Sequence, residues 1–448
     1  LAQTDSVIQF VSIQNVEHLN TAFNESALTA NQKYRIIHFG DSHIQGDRIT
    51  GEIRTHLQSL YGSGGSGMIF PYSLTGSFGP VGTLSKVKGT YTYSSQLKNP
   101  TSQRIGIMGY ELKLKNGSEF TMSFNEKFNG KLTDEVDIWI HSTSDSLSLS
   151  FQLENGTSTY REIDDGLRVY TIKSPKTIDT IRFSVNDECS LWGIELVSNS
   201  GLVYQQSGVV GAQFSHLIKH KKDVLKQLKQ IEPNLLIFSY GTNESYSNLD
   251  TLKYEASVTE FLKELKLLLP KASILLTNAP DTRSGGRTPS NELSVNRRLE
   301  SVSRELGIAF FDANTAMGGW GSLYAWNKKG YFNKDLLHFS SVGAKLFGKL
   351  LLHALLDDMN KANEFNEKLE AEIKEYLPKI ESEQKQEAAF KPVSEEIPKR
   401  KESNFYIVKN GDTLGKIAQK KGCSINYLVK RNKLQSADRI QPGQKIYY

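Results

Sequence analysis

The chain has 448 residues, two to three times the usual domain of roughly 150, so more than one folding unit is expected. With 38% hydrophobic, 10% aromatic and 23% charged residues it sits in the globular range, which excludes collagen-like, mucin-like and wholly disordered classes. The formal charge of +5 is local: residues 404–448 hold nine Lys and Arg against only Asp412 and Asp438, a net +7, whereas the preceding 403 residues are close to neutral. A bulk polyanion-binding surface and a nucleic-acid partner are therefore not expected.

Two cysteines, Cys189 and Cys423, cannot form a disulfide framework, and with no C-x-x-C or Cys/His cluster no metal is expected. No apolar run reaches the roughly 20 residues of a bilayer span, so no integral membrane segment is expected. The opening Leu1-Ala2-Gln3-Thr4 reads as what remains after signal-peptide cleavage, which predicts export to a periplasmic, cell-wall-associated or secreted location.

In chain order, an apolar strand over 34–39 runs into Gly40-Asp41-Ser42-His43, and helical periodicity follows over 47–60. From about 85 to 197 that periodicity vanishes. Short alternating segments at 111–114, 120–124, 136–140, 147–153, 167–172 and 180–185, separated by Asn-Gly, Asp-Gly and Ser-Pro, predict an inserted antiparallel β-sandwich. Strand and helix alternation returns with strands at 201–205, 235–239, 273–277 and 308–311 and helices at 251–269, 292–306 and 341–358. That alternation predicts an α/β domain with a mostly parallel sheet, built from 1–84 and 198–360 around the 85–197 insertion. Residues 361–403 are rich in Glu, Lys and Arg and read as a charged helical extension and linker; 404–448 is patterned again and reads as a compact module.

Ser42 follows the first strand, at the carboxyl edge of a parallel sheet where α/β proteins place active sites. In Asp335-Leu336-Leu337-His338, the three-residue spacing lets Asp335 orient the imidazole while His338 takes the Ser42 proton. Gly208–Gly211 after the second strand and Gly241-Thr242-Asn243 after the third supply backbone and amide donors for an oxyanion. Each motif alone is weak, and a D-x-x-H is often only a helix cap. Their order along the chain is what points to acyl transfer.

On those residues the chain resembles the SGNH hydrolases, the GDSL-type esterases and lipases, and the resemblance implies a flavodoxin-like α/β fold with a parallel five-stranded sheet. His43 replaces the more usual Leu, and Glu244 replaces the common Asp after the third motif. The resemblance implies Ser42 as nucleophile, His338 as base and Asp335 as its orienter, with Ser42 N–H, Gly211 N–H and Asn243 Nδ2 as the oxyanion hole; Gly208 is the second choice for the glycine. No cofactor or metal is implied. The Gly40–Asp47 opening, the Gly-rich loop at 62–67, the inserted β-domain and Gly241-Thr242-Asn243-Glu244 look more specifically like peptidoglycan O-acetylesterases, in which the insertion resembles a carbohydrate-binding jelly roll. Residues 406–446, with Asn410-Gly411-Asp412-Thr413-Leu414 and Gln441-Pro442-Gly443, look like a LysM domain, which implies a small β-α-α-β module and binding to N-acetylglucosamine-containing polymers. Asp412 and Thr413 read as a helix cap, with Leu414, Ile417 and Ala418 on its buried face.

Candidate substrate contacts are His43, Trp320, Trp326 and Arg283, each with a plainer reading as hydrogen-bonding support, core or solvated loop. Gly411, Asp412 and Thr413 are the candidate glycan contacts of the tail. The expectation is an exported serine esterase that removes O-acetyl groups from peptidoglycan. The alternatives are an acetylesterase for xylan, pectin or capsule, transacetylation by the same residues, and a silent wall-binding scaffold.

Overall fold

The computed structural model describes residues 8–19, 33–97, 104–128, 130–284, 287–357 and 367–373 together with parts of 405–447. Leu1–Glu381 and Ser382–Tyr448 form two compact units.

In the first unit, six parallel strands lie side by side: Ala309–Phe311, Ser273–Thr277, Leu235–Ser239, Lys33–Gly40, Gly201–Gly208 and Ser63–Ile69. Without Ser63–Ile69 they are the five strands of a doubly wound sheet in 2-1-3-4-5 order, whose switch point lies where Lys33–Gly40 meets Leu235–Ser239. Alternate side chains along these strands enter two different cores. Ile36, Leu202, Leu235 and Ile237 pack under the helices Arg48–Tyr61 and Ser341–Asp357, whereas Ile37, Phe39, Leu236 and Phe238 pack under Lys221–Ile231, Thr251–Leu268 and Glu292–Leu306. Both faces are covered, so the strands read as continuous apolar runs.

Arg48–Tyr61 buries Ile49, Ile53 and Leu57 at helical spacing, each contributing about 1.5–3 kcal/mol. Its start is held by Asp47, left-handed at φ 54°, whose carboxylate accepts from Thr50 Oγ1 at 2.6 Å and from buried Arg54 Nη2 at 2.6 Å. Removing either ionic partner would strand a buried charge, at a cost of about 3–5 kcal/mol.

The Gly-rich run at 62–67, expected as a loop, is instead the start of a strand. Gly65, at φ +111°, has no room for a side chain: a Cβ there would lie 2.2 Å from the Leu196 carbonyl. Both ladders carry a register shift where they meet it, so glycine is what lets this strand lie between a parallel and an antiparallel neighbour. Ser63–Ile69 therefore joins the parallel sheet to the antiparallel strands Cys189–Val197, Glu135–His141, Leu167–Lys173 and Thr157–Asp164, so that among the described residues the five expected parallel strands form part of one continuous sheet of 12. A second sheet of Thr83–Lys88, Glu119–Phe124, Thr180–Val185 and Leu149–Phe151 closes the sandwich. Trp139 and Trp192 are buried in the core it shares with the α/β layer.

In the second unit, Phe405–Ile407 pairs antiparallel with Lys445–Tyr447. Val408, Leu414, Ile417, Leu428 and Ile446 are buried, as the pattern requires; Ala418 and Cys423 lie outside the described residues. Among the described residues no helix is long and apolar enough to cross a membrane.

Candidate active site

The first strand ends at Gly40, where a Cβ would lie 2.4 Å from Ile44 Cγ1 and 2.8 Å from the Ser239 carbonyl. Glycine lets the chain turn sharply, and Ser42 opens the four-residue helix Ser42–Gln45 with Asp41 as its cap. Far along the chain, Asp335 Oδ1 accepts the N–H groups of Leu337 and His338, both at 3.0 Å, while Leu336 takes a left-handed φ of 57°. This Asx turn brings the two side chains of a three-residue spacing together. Asp335 Oδ2 accepts from His338 Nδ1 at 2.7 Å, and His338 Nε2 lies 2.9 Å from Ser42 Oγ. Nδ1 then carries the proton and Nε2 is left to accept from the Ser42 hydroxyl, the arrangement of an activated serine. Partial burial alone would raise the Asp335 carboxyl, but the bonds from His338 and Leu337 hold it below its ordinary value.

Donors gather on two loops beside Ser42. The N–H groups of Ser42 and Gly211 meet no protein acceptor among the described residues, whereas the neighbouring Val210 N–H donates to Gln45 Oε1 at 2.6 Å. Gly211 sits at φ 78°. Gly208, the second choice, donates its N–H to Gln206 Oε1, and a Cβ on it would lie 2.2 Å from Gln45 N. Asn243 Nδ2 donates one hydrogen to the Ala212 carbonyl at 2.9 Å, leaving its other hydrogen for a ligand. Glu244 ties the two loops, accepting from Phe214 N–H at 2.7 Å and Gly241 N–H at 3.0 Å; burial pushes its carboxyl up to about 7. Gln213 Nε2 adds a bond to the Asn243 carbonyl at 3.3 Å. Glu244 and Gln45 were not singled out as site residues, because each acts on a loop distant in the chain.

Ser42 and His338 open into a cleft of about 290 Å³ walled by Arg48, Phe78, Val210 and Phe339. Three expected substrate contacts need correction. Trp326 is fully buried among Tyr331, Phe332 and Phe339, with Nε1 donating to the Met317 carbonyl at 2.8 Å, because the Ser322–Lys328 helix turns it inward. Arg283 is only 7% exposed and donates to Asp281 Oδ1 and the Thr282 carbonyl, so its guanidinium is committed within the protein. His43 borders the cleft, yet both of its ring nitrogens are spent on Asp41 and the Leu337 carbonyl. Trp320 remains: it is 57% exposed, with the Arg283 guanidinium 4.9 Å from its ring centroid.

In the tail, Asp412 Oδ2 accepts from Tyr406 Oη at 2.9 Å and Lys409 N–H at 2.8 Å, so that oxygen is used within the module. Gly411 and Thr413 lie outside the described residues. Among the described residues no cluster of three or more His, Cys, Asp or Glu is placed to hold a metal ion.

A GDSL-like lipase/acylhydrolase family model matches residues 189–346, and a LysM domain model matches 406–447. The first contains Gly211, Asn243, Asp335 and His338 but not Ser42, which the inserted strands separate from it in the chain and the fold returns to it. Among solved structures, a peptidoglycan O-acetylesterase superposes with a TM-score of 0.62 at 22% identity, covering 79% of this chain and 99% of that one. A GDSL-like lipase of Parabacteroides merdae (19% identity, 35% and 72% coverage, TM-score 0.28) and an acetylxylan esterase of Geobacillus stearothermophilus (20%, 35% and 71%, 0.27) are too slight a likeness to carry a conclusion. No curated protein matches the chain in sequence. The chain thus carries a GDSL-like lipase/acylhydrolase domain of mixed α/β fold followed by a C-terminal LysM domain.

Proposed function

We propose that this protein is an exported serine esterase that removes O-acetyl groups from peptidoglycan and is held at the wall by its LysM domain. One observation carries the chemistry: Ser42 Oγ, His338 and Asp335 form an unbroken hydrogen-bonded relay of 2.9 and 2.7 Å. Ser42 Oγ attacks the acetyl carbonyl carbon and its proton passes to His338 Nε2. The tetrahedral oxyanion is met by the N–H groups of Ser42 and Gly211 and by the second hydrogen on Asn243 Nδ2. When the intermediate collapses, the sugar oxygen departs with the proton from His338, leaving acetyl-Ser42. Water then attacks the acetyl group as His338 takes its proton, and acetate leaves with the Ser42 hydroxyl restored.

The substrate assignment is supported by the fold shared with a peptidoglycan O-acetylesterase over 79% of this chain, and by a LysM module suited to N-acetylglucosamine-containing glycan. The net +7 of 404–448 favours an anionic wall through attraction that salt screens. The test is acetate release from O-acetylated peptidoglycan beside acetylated xylan, with Ser42→Ala as blank. Release from peptidoglycan should be faster and vanish in the variant; faster release from xylan would overturn the substrate.

A further inference from the structure

His43 has a side chain only 8% exposed and hydrogen-bond partners at both ring nitrogens: Nδ1 lies 2.9 Å from Asp41 Oδ1, and Nε2 lies 3.0 Å from the Leu337 carbonyl oxygen. A neutral imidazole has one donor and one acceptor nitrogen. Here both partners accept. Asp41 Oδ1 already takes the His43 backbone N–H at 2.9 Å, and although burial alone would raise this carboxyl, His43 and Thr242 hold it below its ordinary value, as a carboxylate. Either neutral tautomer would set a ring lone pair against an oxygen lone pair. Only the imidazolium satisfies both contacts.

The two partners also flank the catalytic groups. Asp41 immediately precedes Ser42, and Leu337 immediately precedes His338. We propose that His43, doubly protonated, is a positioning residue that clasps the nucleophile turn to the base loop and so keeps Ser42 Oγ within hydrogen-bond reach of His338 Nε2. The clasp takes no part in proton transfer. It spans two segments nearly 300 positions apart in the chain.

The surroundings fit a retained charge. Asp41 faces the ring from its own turn; Asp335 and His338 face it from the base loop, the His338 ring centroid at 5.7 Å; Arg48 borders the same cleft; Tyr240 and Thr242 share a small void with it on the side of the third strand. Phe339 meets the ring edge-on at 5.2 Å. Burial alone would lower the imidazole, but the Asp41 carboxylate and the Leu337 carbonyl outweigh it and hold His43 above its ordinary value. The clasp is therefore intact below the ordinary histidine range and is lost as pH rises through the elevated value. The rate therefore falls on the alkaline side, as His43 gives up its proton.

This inference rests on the proposed roles of Ser42 and His338, and the experiment separates the two. With an aryl acetate as substrate, His43→Gln should lower kcat about 10- to 100-fold, as expected when a reacting pair is displaced by about an ångström, with KM changed less than about twofold. A glutamine amide presents an oxygen where the second N–H stood, so it serves only one of the two acceptors. The alkaline fall of kcat expected of the native enzyme should be absent from the variant. On the native protein, ¹⁵N-histidine spectra recorded across a pH series should show both His43 nitrogens keeping their protons to a pH above the ordinary histidine value, the resonance being assigned by its loss in His43→Gln or His43→Asn. A His43 that loses its second proton at or below the ordinary histidine value, or an alkaline limb that persists in His43→Gln, overturns the clasp. Hydrolysis that survives Ser42→Ala overturns the catalytic reading instead and leaves the spectroscopic result standing.

Discussion

The two halves of the proposed catalytic pair are held in contrasting ways. The nucleophile turn is built into the core: Asp41 is 3% exposed, and Gly40 abuts the neighbouring strand so closely that a methyl group has no place. The base loop stands in solvent, with the Asp335 and His338 side chains 47% and 35% exposed, and gets its shape from a local Asx turn. Ser42 thus inherits its position from the sheet, whereas His338 must be held by individual hydrogen bonds. Packing supplies rigidity on one side; on the other, each bond matters more.

At the level of chemistry the two sides should nevertheless be equal. Ser42→Ala and His338→Ala are each expected to lower kcat on the order of 10⁵- to 10⁶-fold, because the pair acts as a unit. Initial rates on an aryl acetate with both variants and the double variant check this; a double variant much worse than either single one would break the unit.

Asp335→Asn separates the halves. It keeps the turn but offers an amide to His338 Nδ1, favouring the wrong tautomer, and should cost about 10³- to 10⁴-fold in kcat. In the native protein the Asp335 carboxyl lies below its ordinary value, so the bond to His338 is present above the usual carboxylate range and is lost only as pH falls through the lowered value. The melting temperature of Asp335→Asn should stay near that of the native protein at pH 7, since the loop is solvated and contributes little to the core. A large loss of melting temperature would contradict the contrast drawn above.

Asn243→Ala should have a smaller effect, about 10²- to 10³-fold in kcat with little change in KM, as one oxyanion donor is removed. The amide also donates to the Ala212 carbonyl, so the glycine loop loses a tie while Glu244 continues to hold it. Crystal structures of the variant with a phosphonate-acylated Ser42 would show whether Gly211 N–H still meets the phosphoryl oxygen.

How much of this was legible in the sequence follows from whether a residue's setting is local. Ser42, Asp335 and His338 lie in turns closed by their own neighbours, so motif and spacing were enough to bring the three together. Gly211 and Asn243 follow strands whose apolar runs mark them plainly. The strand at 63–69 was missed because its glycines signal a turn by composition; only the two neighbouring strands, from distant parts of the chain, make glycine necessary there. Glu244 was noted only as a substitution, since the loop it fastens begins some 30 residues upstream. Trp320, Trp326 and Arg283 looked alike as candidates, and tertiary packing decided their fates: one exposed, two buried.

Trp320 gives the smallest effect and the most direct view of substrate. Asp281, fully buried, accepts the Gly321 and Leu323 N–H groups through Oδ2 and pairs with Arg283 through Oδ1, so the tryptophan's turn and the guanidinium against its ring share one anchor. The Arg283 backbone N–H in turn donates to the Leu336 carbonyl at 2.8 Å, inside the base loop. The ring is thus held in place before any ligand arrives, and stacking a sugar on it costs little conformational freedom. Trp320→Ala should raise KM for acetylated glycan about 2- to 10-fold, in line with about 0.5–1.5 kcal/mol for an aromatic stacking contact. Fluorescence can localise that contact, because all four tryptophans lie in the first unit and the other three, Trp139, Trp192 and Trp326, are buried. Quenching by acrylamide therefore reports on Trp320. In Ser42→Ala protein, added glycan should protect the emission from acrylamide; unchanged quenching at concentrations that saturate turnover in the native enzyme would remove Trp320 from the substrate path.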